Sequence, residues 1–309
     1  MYWLRLMANS FNFNTSMWNR PWNLKEGFLI GGGLIIVGLI LELSIGPVSW
    51  DIFVWPANCW VLVGFLLLII GIYSLRKRIY AFNFLGSFKA AIPSLAYAVV
   101  LTIIMGLTRQ TADGTGLSNM LTFWPFVLTY VWLTVILGQV ILRRLSHFRW
   151  KHDIPFMLNH LGLFIALTTA TLGNADMQRV KMVTVLGEKE WRGLNEQGNV
   201  VELPIAIQLD RFIMETYEDG TPRRFASEVQ LSTDSGKNLQ ATVDVNKPIT
   251  LEGWKIYQYS YDTSMGAESN ISILELVHDP WLPAVYTGIY MMLTGAFCMF
   301  ILGVRRKKS

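Results

Sequence analysis

The chain has 309 residues, of which 52% are hydrophobic and 16% are charged. About a quarter of the residues in an ordinary soluble domain are charged, so this composition excludes a freely soluble enzyme and indicates a chain with much of its length in lipid. The net charge of +4 suits either a nucleic acid or a membrane surface as partner, and the positions of the charges decide between them.

Six apolar runs are long enough to cross a bilayer as helices, for which about 20 residues are needed. The predicted helices cover residues 27–45, 57–75, 91–107, 121–142, 154–172 and 282–304. Lysine and arginine residues concentrate before helix one, after helices two and four, and after helix six, whereas the connection 108–120 has only Arg109 and 46–56 has none. The positive-inside rule therefore predicts an N-in, C-in protein. Gly27 and Gly31, four residues apart in the first helix, predict a close helix contact.

The polar segment 173–281 lies between the fifth and sixth predicted helices, and the helix count places it outside the cytoplasm. Residues 225–232 alternate between apolar and polar side chains, and residues 255–261 are rich in aromatic residues, as is typical of strands. Turn signals at 218–222, 233–236 and 252–253 separate these stretches. We therefore expect a small antiparallel β-sandwich or barrel.

The predicted fold class is a polytopic α-helical membrane protein with a β-rich extracytoplasmic domain between helices five and six. Its parts are a cytoplasmic segment 1–26, a five-helix membrane domain 27–172, the β-rich domain 173–281, a final transmembrane helix 282–304 and a basic cytoplasmic tail 305–309. The β-rich domain holds 17 of the 22 acidic residues and 10 of the 26 basic ones, a net charge of −7. The basic excess lies at the predicted inner face, so the charge predicts a lipid bilayer as partner and no nucleic acid.

His160 lies within the fifth predicted helix, directly after Asn159. An ionisable side chain inside an apolar helix is costly and needs a reason. One interpretation is a structural hydrogen bond to a neighbouring helix. The other is an axial ligand or relay for a cofactor, since neutral imidazole is a ready ligand for haem iron.

His278 stands where the β-rich domain returns to the membrane, just before Asp279 and Trp281. It either ligates a cofactor, with Asp279 orienting it, or marks the start of the last helix, with Trp281 as an interfacial anchor.

Two further histidines, His147 and His152, lie among arginines and lysines in the predicted cytoplasmic loop. That loop is either a solvated topogenic stretch or a surface that attracts haem propionates or anionic lipid headgroups. Glu42, near the predicted outer end of helix one, suggests a proton pathway together with His160. A transporter of this kind is disfavoured by the absence of paired broken helices.

Three motifs in the second half of the chain carry a resemblance to a known family. They are 159–162 (NHLG), 253–262 (GWKIYQYSYD) and 274–281 (LELVHDPW), and a helix with Gly288 and Gly295 and a basic tail follow them. This pattern resembles the ResB/CcsB family of cytochrome c biogenesis proteins. Members of that family usually have three helices before a larger outer domain, so the first two helices predicted here have no obvious counterpart.

The resemblance implies a subunit of a system II cytochrome c synthase in the bacterial cytoplasmic membrane. Such a subunit helps to carry haem b outward and presents it for thioether attachment to the CXXCH motifs of apocytochrome c. The resemblance implies His160 as the transient ligand of the haem iron and a CcsA/ResC-like WWD protein as the partner. That WWD signature is absent from this chain, so the ligation step is not assigned to it alone. A scaffold for CcsA and apocytochrome that binds no haem is the alternative hypothesis.

Overall fold

The computed structural model describes residues 18–111 and 114–306, and Lys151 and residues 302–306 only in their backbone. Arg5 and the end of the basic tail, residues 307–309, lie outside the described residues. The chain divides into a helical unit, Met1–Ala175 with Pro283–Ser309, and a second compact unit, Asp176–Leu282.

Seven α-helices form the described part of the helical unit. They are α1 (Leu24–Ile45), α2 (Ala57–Leu75), α3 (Tyr80–Leu85), α4 (Phe88–Leu107), α5 (Trp124–Leu145), α6 (Trp150–Gly173) and α7 (Leu282–Arg306). All except α3 are long and apolar enough to cross a membrane, which confirms the six predicted spans and makes the chain a multi-pass membrane protein. The helix α3 escaped prediction because its six residues are too few to give an apolar run of spanning length.

Helix α4 begins at Phe88, three residues before the predicted start, and encloses Pro93. Proline lacks the N–H that would bond to the carbonyl of Lys89, so this carbonyl is free to meet a neighbour. An added Cβ at Gly27 on α1 would stand 2.6 Å from the Lys89 oxygen, and one at Gly31 would stand 2.2 Å from the Tyr97 ring. The predicted close contact at Gly27 and Gly31 is confirmed, and it joins α1 to α4.

Helix α5 lies at the centre of the helical unit and has the largest buried share of the six spans. Gly38 of α1 packs against its Pro125, and its Gly138 packs against Ile69 of α2. The buried Gln139 of α5 donates a 2.8 Å hydrogen bond to the Ile69 carbonyl. Polar contacts of this kind hold helices together where lipid gives no hydrophobic drive for association.

The second unit is built on one antiparallel sheet of eight strands. They are β1 (Gln178–Val185), β2 (Lys189–Asn195), β3 (Val200–Thr216), β4 (Pro222–Thr233), β5 (Asn238–Asp244), β6 (Ile249–Leu251), β7 (Trp254–Tyr261) and β8 (Ile271–His278), in the spatial order β5-β4-β3-β2-β1-β8-β7-β6. The predicted strand stretches fall in β4 and β7, and the three predicted turns lie where strands meet.

The sheet rolls toward a barrel, because strands that are not neighbours in it meet across its inner face. Ser227 of β4 donates a 2.6 Å hydrogen bond to Gln258 of β7, and Ser272 of β8 joins them. Around this buried polar group lies an apolar core contributed by most strands. Its buried members are Val180, Met182, Leu203, Ile205, Ile207, Leu209, Val229, Leu231, Val243, Trp254, Ile256, Leu274 and Leu276.

Candidate functional site

His160 lies half-buried on α6, with its ring held by the helix's own backbone. Its Nδ1 is 2.9 Å from the carbonyl oxygen of Phe156, one turn earlier. A carbonyl oxygen only accepts hydrogen bonds, so Nδ1 carries the proton. The lone pair of the neutral ring is therefore on Nε2, the arrangement in which protein histidines commonly ligate metals.

The imidazole of His160 also stacks on the ring of Phe156, with centroids 3.8 Å apart and planes 20° from parallel. The guanidinium of Arg144 lies 5.2 Å from the centroid of the same phenyl ring and pairs with the buried carboxylate of Asp153. The Nε of Arg144 is buried and has no hydrogen-bond partner among the described residues. At the predicted inner ends of α5 and α6, an oriented imidazole and an unpaired guanidinium donor thus contact one aromatic ring.

Asn159, the neighbour of His160, faces the last helix. Its Nδ2 donates a 2.8 Å bond to the Pro155 carbonyl, and an added Cβ at Gly295 of α7 would stand 2.4 Å from that nitrogen. Farther along, a Cβ at Gly162 would stand 2.6 Å from the Gly288 oxygen. Asn159 therefore serves the contact between α6 and α7, and the described hydrogen bonds do not connect it to the imidazole.

His278 is placed at the end of β8, in register with Gln178 of β1 and Trp254 of β7. Its ring packs on the Trp254 indole, with centroids 5.2 Å apart. Gly253, at φ +85°, passes so close that an added Cβ would stand 3.2 Å from the His278 ring. The positive φ and the close approach both favour glycine here. This histidine is a packed element of the sheet.

Asp279 caps the start of α7. Its Oδ1 accepts the backbone N–H groups of Trp281, at 3.1 Å, and of Leu282, at 3.0 Å. No hydrogen bond between the described side chains of Asp279 and His278 is present, so the expected orienting role is replaced by the cap. Trp281 donates its indole N–H to Asp176 at 2.7 Å.

The two loop histidines are separate from this arrangement. His147 is exposed and its Nδ1 lies 2.9 Å from the Ser146 hydroxyl. His152 is exposed on α6, eight residues before His160 and about 12 Å away along the helix axis. Within the described ranges, no three His, Cys, Asp or Glu side chains converge to hold a metal. The described histidines of the helical unit therefore belong to no cluster of three such side chains.

Several contacts in the helical unit were not foreseen from the sequence. Glu42 accepts the backbone N–H of Trp124 at 3.2 Å, so it satisfies an N–H group at the start of α5. Tyr130 of α5 bonds to Thr171 and to the carbonyl of Leu167 on α6, each at 2.9 Å. The stack of Phe156 on His160 could have been predicted from the sequence, because residues four apart share a helix face. The Glu42 contact could not, because it joins residues 82 positions apart.

In comparisons with known proteins, one family model matches the segment that contains His160. Residues 154–273 match the ResB-like family model. The cytochrome c biogenesis protein CcsB of Prochlorococcus marinus subsp. pastoris is 33% identical over 106 residues, and CcsB of a Synechococcus species is 31% identical over 103 residues. The predicted ResB/CcsB resemblance is therefore confirmed over this segment.

These matches cover a part of each protein. They span 34% and 33% of this chain and 24% and 23% of the two CcsB proteins, so the match covers about a quarter of the curated relatives' length. Among solved structures, the cytochrome c haem lyase CcmF aligns with 90% of this chain and 46% of its own, at 13% identity and a TM-score of 0.34. A score of this size does not establish a shared fold.

Proposed function

Because the chain carries a ResB-like segment with an oriented intramembrane histidine, we propose that it is a subunit of a system II cytochrome c synthase. In this function it helps to carry haem across the bacterial cytoplasmic membrane and presents it for thioether attachment to CXXCH motifs of apocytochrome c. A CcsA/ResC-like WWD protein completes the synthase. The names of the two CcsB relatives support the pathway.

The observation that carries the proposal is the tautomer of His160. Its Nδ1–H is committed to the Phe156 carbonyl, which leaves Nε2 with a lone pair for an axial bond to haem iron. A histidine that served only as a link between helices would donate or accept across a helix interface. Here the hydrogen bond stays within α6, and no described residue forms a hydrogen bond with Nε2.

The surroundings of His160 also fit haem as cargo. Haem has an apolar face and two carboxylates, and the Phe156 ring and the buried, unpaired Nε of Arg144 match these two features. A second ligand to the haem iron would come from a group of the partner or from solvent. Haem supplies the vinyl groups that react, and this chain binds and orients the haem.

The outer unit provides a surface for the apoprotein. The net charge of −7 over 173–281 attracts a basic polypeptide over a range set by ionic strength. With the helices oriented as the positive-inside rule predicts, this surface lies on the periplasmic side, where thioether bonds form. Association of the apoprotein with this unit is accordingly expected to weaken as salt rises.

The test is His160→Ala in the full chain, expressed with its WWD partner. We expect loss of the haem that co-purifies and a large fall in holocytochrome c yield. The control is Leu163→Ala, a truncation of an exposed side chain on the same helix. If the His160 variant is present at normal level and keeps both haem and yield, the ligand role is wrong and the scaffold that binds no haem is favoured.

A further inference from the structure

A polar cavity of about 380 Å³ lies in the helical unit, and His160 is not among its lining residues. Its walls come from the segment before α1, the end of α2 and the helix α3. Six residues line it, namely Arg20, Arg76, Lys77, Arg78, Tyr80 and Asn83. Four of the six are cationic, and none of them forms a salt bridge within the described residues. Four like charges around one small volume repel each other until an anion enters.

No carboxylate is among the described side chains that line this cavity. On the predicted cytoplasmic side, the sequence has only Glu26 and Asp153 as acidic residues. Glu26 is buried and accepts the backbone N–H of Asn23 at 2.6 Å. Asp153 is held by Arg144 and by the N–H of Arg149. Both carboxylates are committed elsewhere, so neither supplies a counter-charge to the cavity.

The cavity is held in shape by contacts that leave its charges available. Arg76 donates a 2.6 Å hydrogen bond to the Tyr73 carbonyl, and its guanidinium lies 3.5 Å from the centroid of the Tyr73 ring. The Arg20 guanidinium lies 4.7 Å from the centroid of the Tyr80 ring, whose hydroxyl accepts the Trp22 N–H at 2.9 Å. A site ordered before binding loses less conformational entropy when its ligand arrives.

Because the cavity adjoins the end of a membrane span, we expect it at the depth of lipid headgroups. It begins where the membrane span α2 ends, and Leu75 and Ile79 beside it are 41% and 40% exposed. Apolar side chains exposed next to a cationic pocket suit a ligand with a charged head and an acyl tail. Trp22 and Tyr80 are the residue types that concentrate at this level of a membrane.

We propose that this cavity binds the phosphate of an anionic glycerophospholipid. Arginine and lysine bind phosphate through charge-assisted hydrogen bonds, and basic pockets between membrane helices on this side are suited to such headgroups. The occupant is a lipid phosphate, rather than free phosphate, because the exposed apolar residues give the acyl chains a surface on which to lie. The site does not depend on the proposed haem function.

The experiment is native mass spectrometry of the full chain, purified and then incubated with phosphatidylglycerol, phosphatidylcholine or inorganic phosphate. We expect phosphatidylglycerol to stay bound and the other two probes to be lost. Because one Lys or Arg near the site adds about 1 kcal/mol, Arg78→Gln should weaken phosphatidylglycerol binding about fivefold, and Arg78→Lys should retain most of it. The matched control is Arg149→Gln, which removes an exposed arginine of the same predicted face outside the cavity.

Three results would overturn the proposal. The first is equal retention of phosphatidylcholine, which would show that charge is not recognised. The second is retention of inorganic phosphate alone as well as the lipid, which would assign the site to a soluble anion. The third is an equal loss of affinity in Arg78→Gln and Arg149→Gln, which would show a diffuse attraction of the whole basic face. The haem content of the same samples is measured as well, so that a failure of lipid binding is distinguished from a failure of the proposed haem function.

Discussion

At the scale of single residues, the ring of Phe156 orients His160 from one turn away. The stacking contact, with centroids 3.8 Å apart, and the hydrogen bond from Nδ1 to the Phe156 carbonyl together hold the imidazole in one orientation. The backbone carbonyl remains in any variant of this residue, whereas the ring does not. Phe156 is thus a positioning residue whose side chain is separable from the hydrogen bond.

Phe156→Leu is expected to weaken haem binding without abolishing it. An aromatic pair is worth about 0.5–1.5 kcal/mol, which is roughly a twofold to twelvefold rise in the dissociation constant. Titration of the full chain with haem measures it, and the control Phe297→Leu, at an exposed ring of α7, should leave the constant unchanged. An unchanged constant in Phe156→Leu would remove the positioning role.

A residue pair in the second unit makes the stability of that unit depend on pH. Arg224 bonds to Asp244 at 2.6 Å and holds the pKa of this carboxyl below its ordinary value. A depressed pKa adds stability that is present above the unfolded-state value, about 3.9, and is lost as pH falls through the folded-state value. Asp244→Asn should therefore melt at a lower temperature than the parent at pH 7, and this difference should shrink below about pH 4.

The comparison for Asp244→Asn is Asp234→Asn, an exposed carboxylate for which no side-chain bond is found in the described part of the unit. Thermal melts of the two variants and the parent across pH 3 to 7 provide the measurement. A melting difference for Asp244→Asn that stays constant with pH would show that the ion pair with Arg224 does not act through the ionised carboxylate.

At the scale of elements, the pairing of α6 with α7 depends on glycine. Gly162 and Gly288 face each other so closely that either Cβ would stand 2.6 Å or less from the opposite carbonyl oxygen. Close backbone approach of this kind is a common means of joining helices in lipid. It fixes the helix that carries His160.

Gly162→Ala is expected to separate the two helices and destabilise the protein. Overpacking costs about 1–3 kcal/mol, while alanine in an open helix position gains up to about 1 kcal/mol over glycine. Gly106→Ala is the control, since nothing lies within 4 Å of its added Cβ. Thermal melts of the solubilised protein should show a lower midpoint for Gly162→Ala and an equal or higher one for Gly106→Ala. The reverse order would contradict the packing account.

The sequence predicted elements well where the signal is local. Apolar runs located all six spans, and alternation located β4 and β7, because both patterns repeat within one element. It did not predict the pairing of β1 with β8 or the cap that Glu42 gives to α5, since these join distant positions. At the candidate site, the sequence pointed to His160 because an ionisable side chain within an apolar helix is energetically costly. The commitment of its Nδ1 depended on side-chain geometry that composition does not encode.

At the scale of the whole molecule, charge predicts the direction in which the protein crosses the membrane. The segment 173–281 has a net charge of −7, whereas the remaining chain is basic mainly in the connections on the opposite predicted side. The proposed delivery of haem and the proposed docking of apocytochrome both require an orientation in which the second unit lies outside the cytoplasm.

Cysteine labelling tests the orientation. In a chain whose Cys59 and Cys298 are replaced by alanine, Gln197→Cys in the β2–β3 turn should react with an impermeant maleimide on intact cells. Ser146→Cys, in the connection between α5 and α6, should react only after the membrane is opened. Both positions are exposed, so access to the reagent decides the result. The opposite pattern would invert the proposed topology.

The proposed bond between Nε2 of His160 and haem iron is tested by replacing the lost side chain with a free ligand. The measurement is the Soret absorption of His160→Gly, purified with its WWD partner, before and after addition of imidazole. We expect a weak or absent band that imidazole restores toward the parent position, while Leu163→Ala needs no addition. A His160→Gly protein with the parent's Soret band in the absence of imidazole would show that His160 does not ligate the iron.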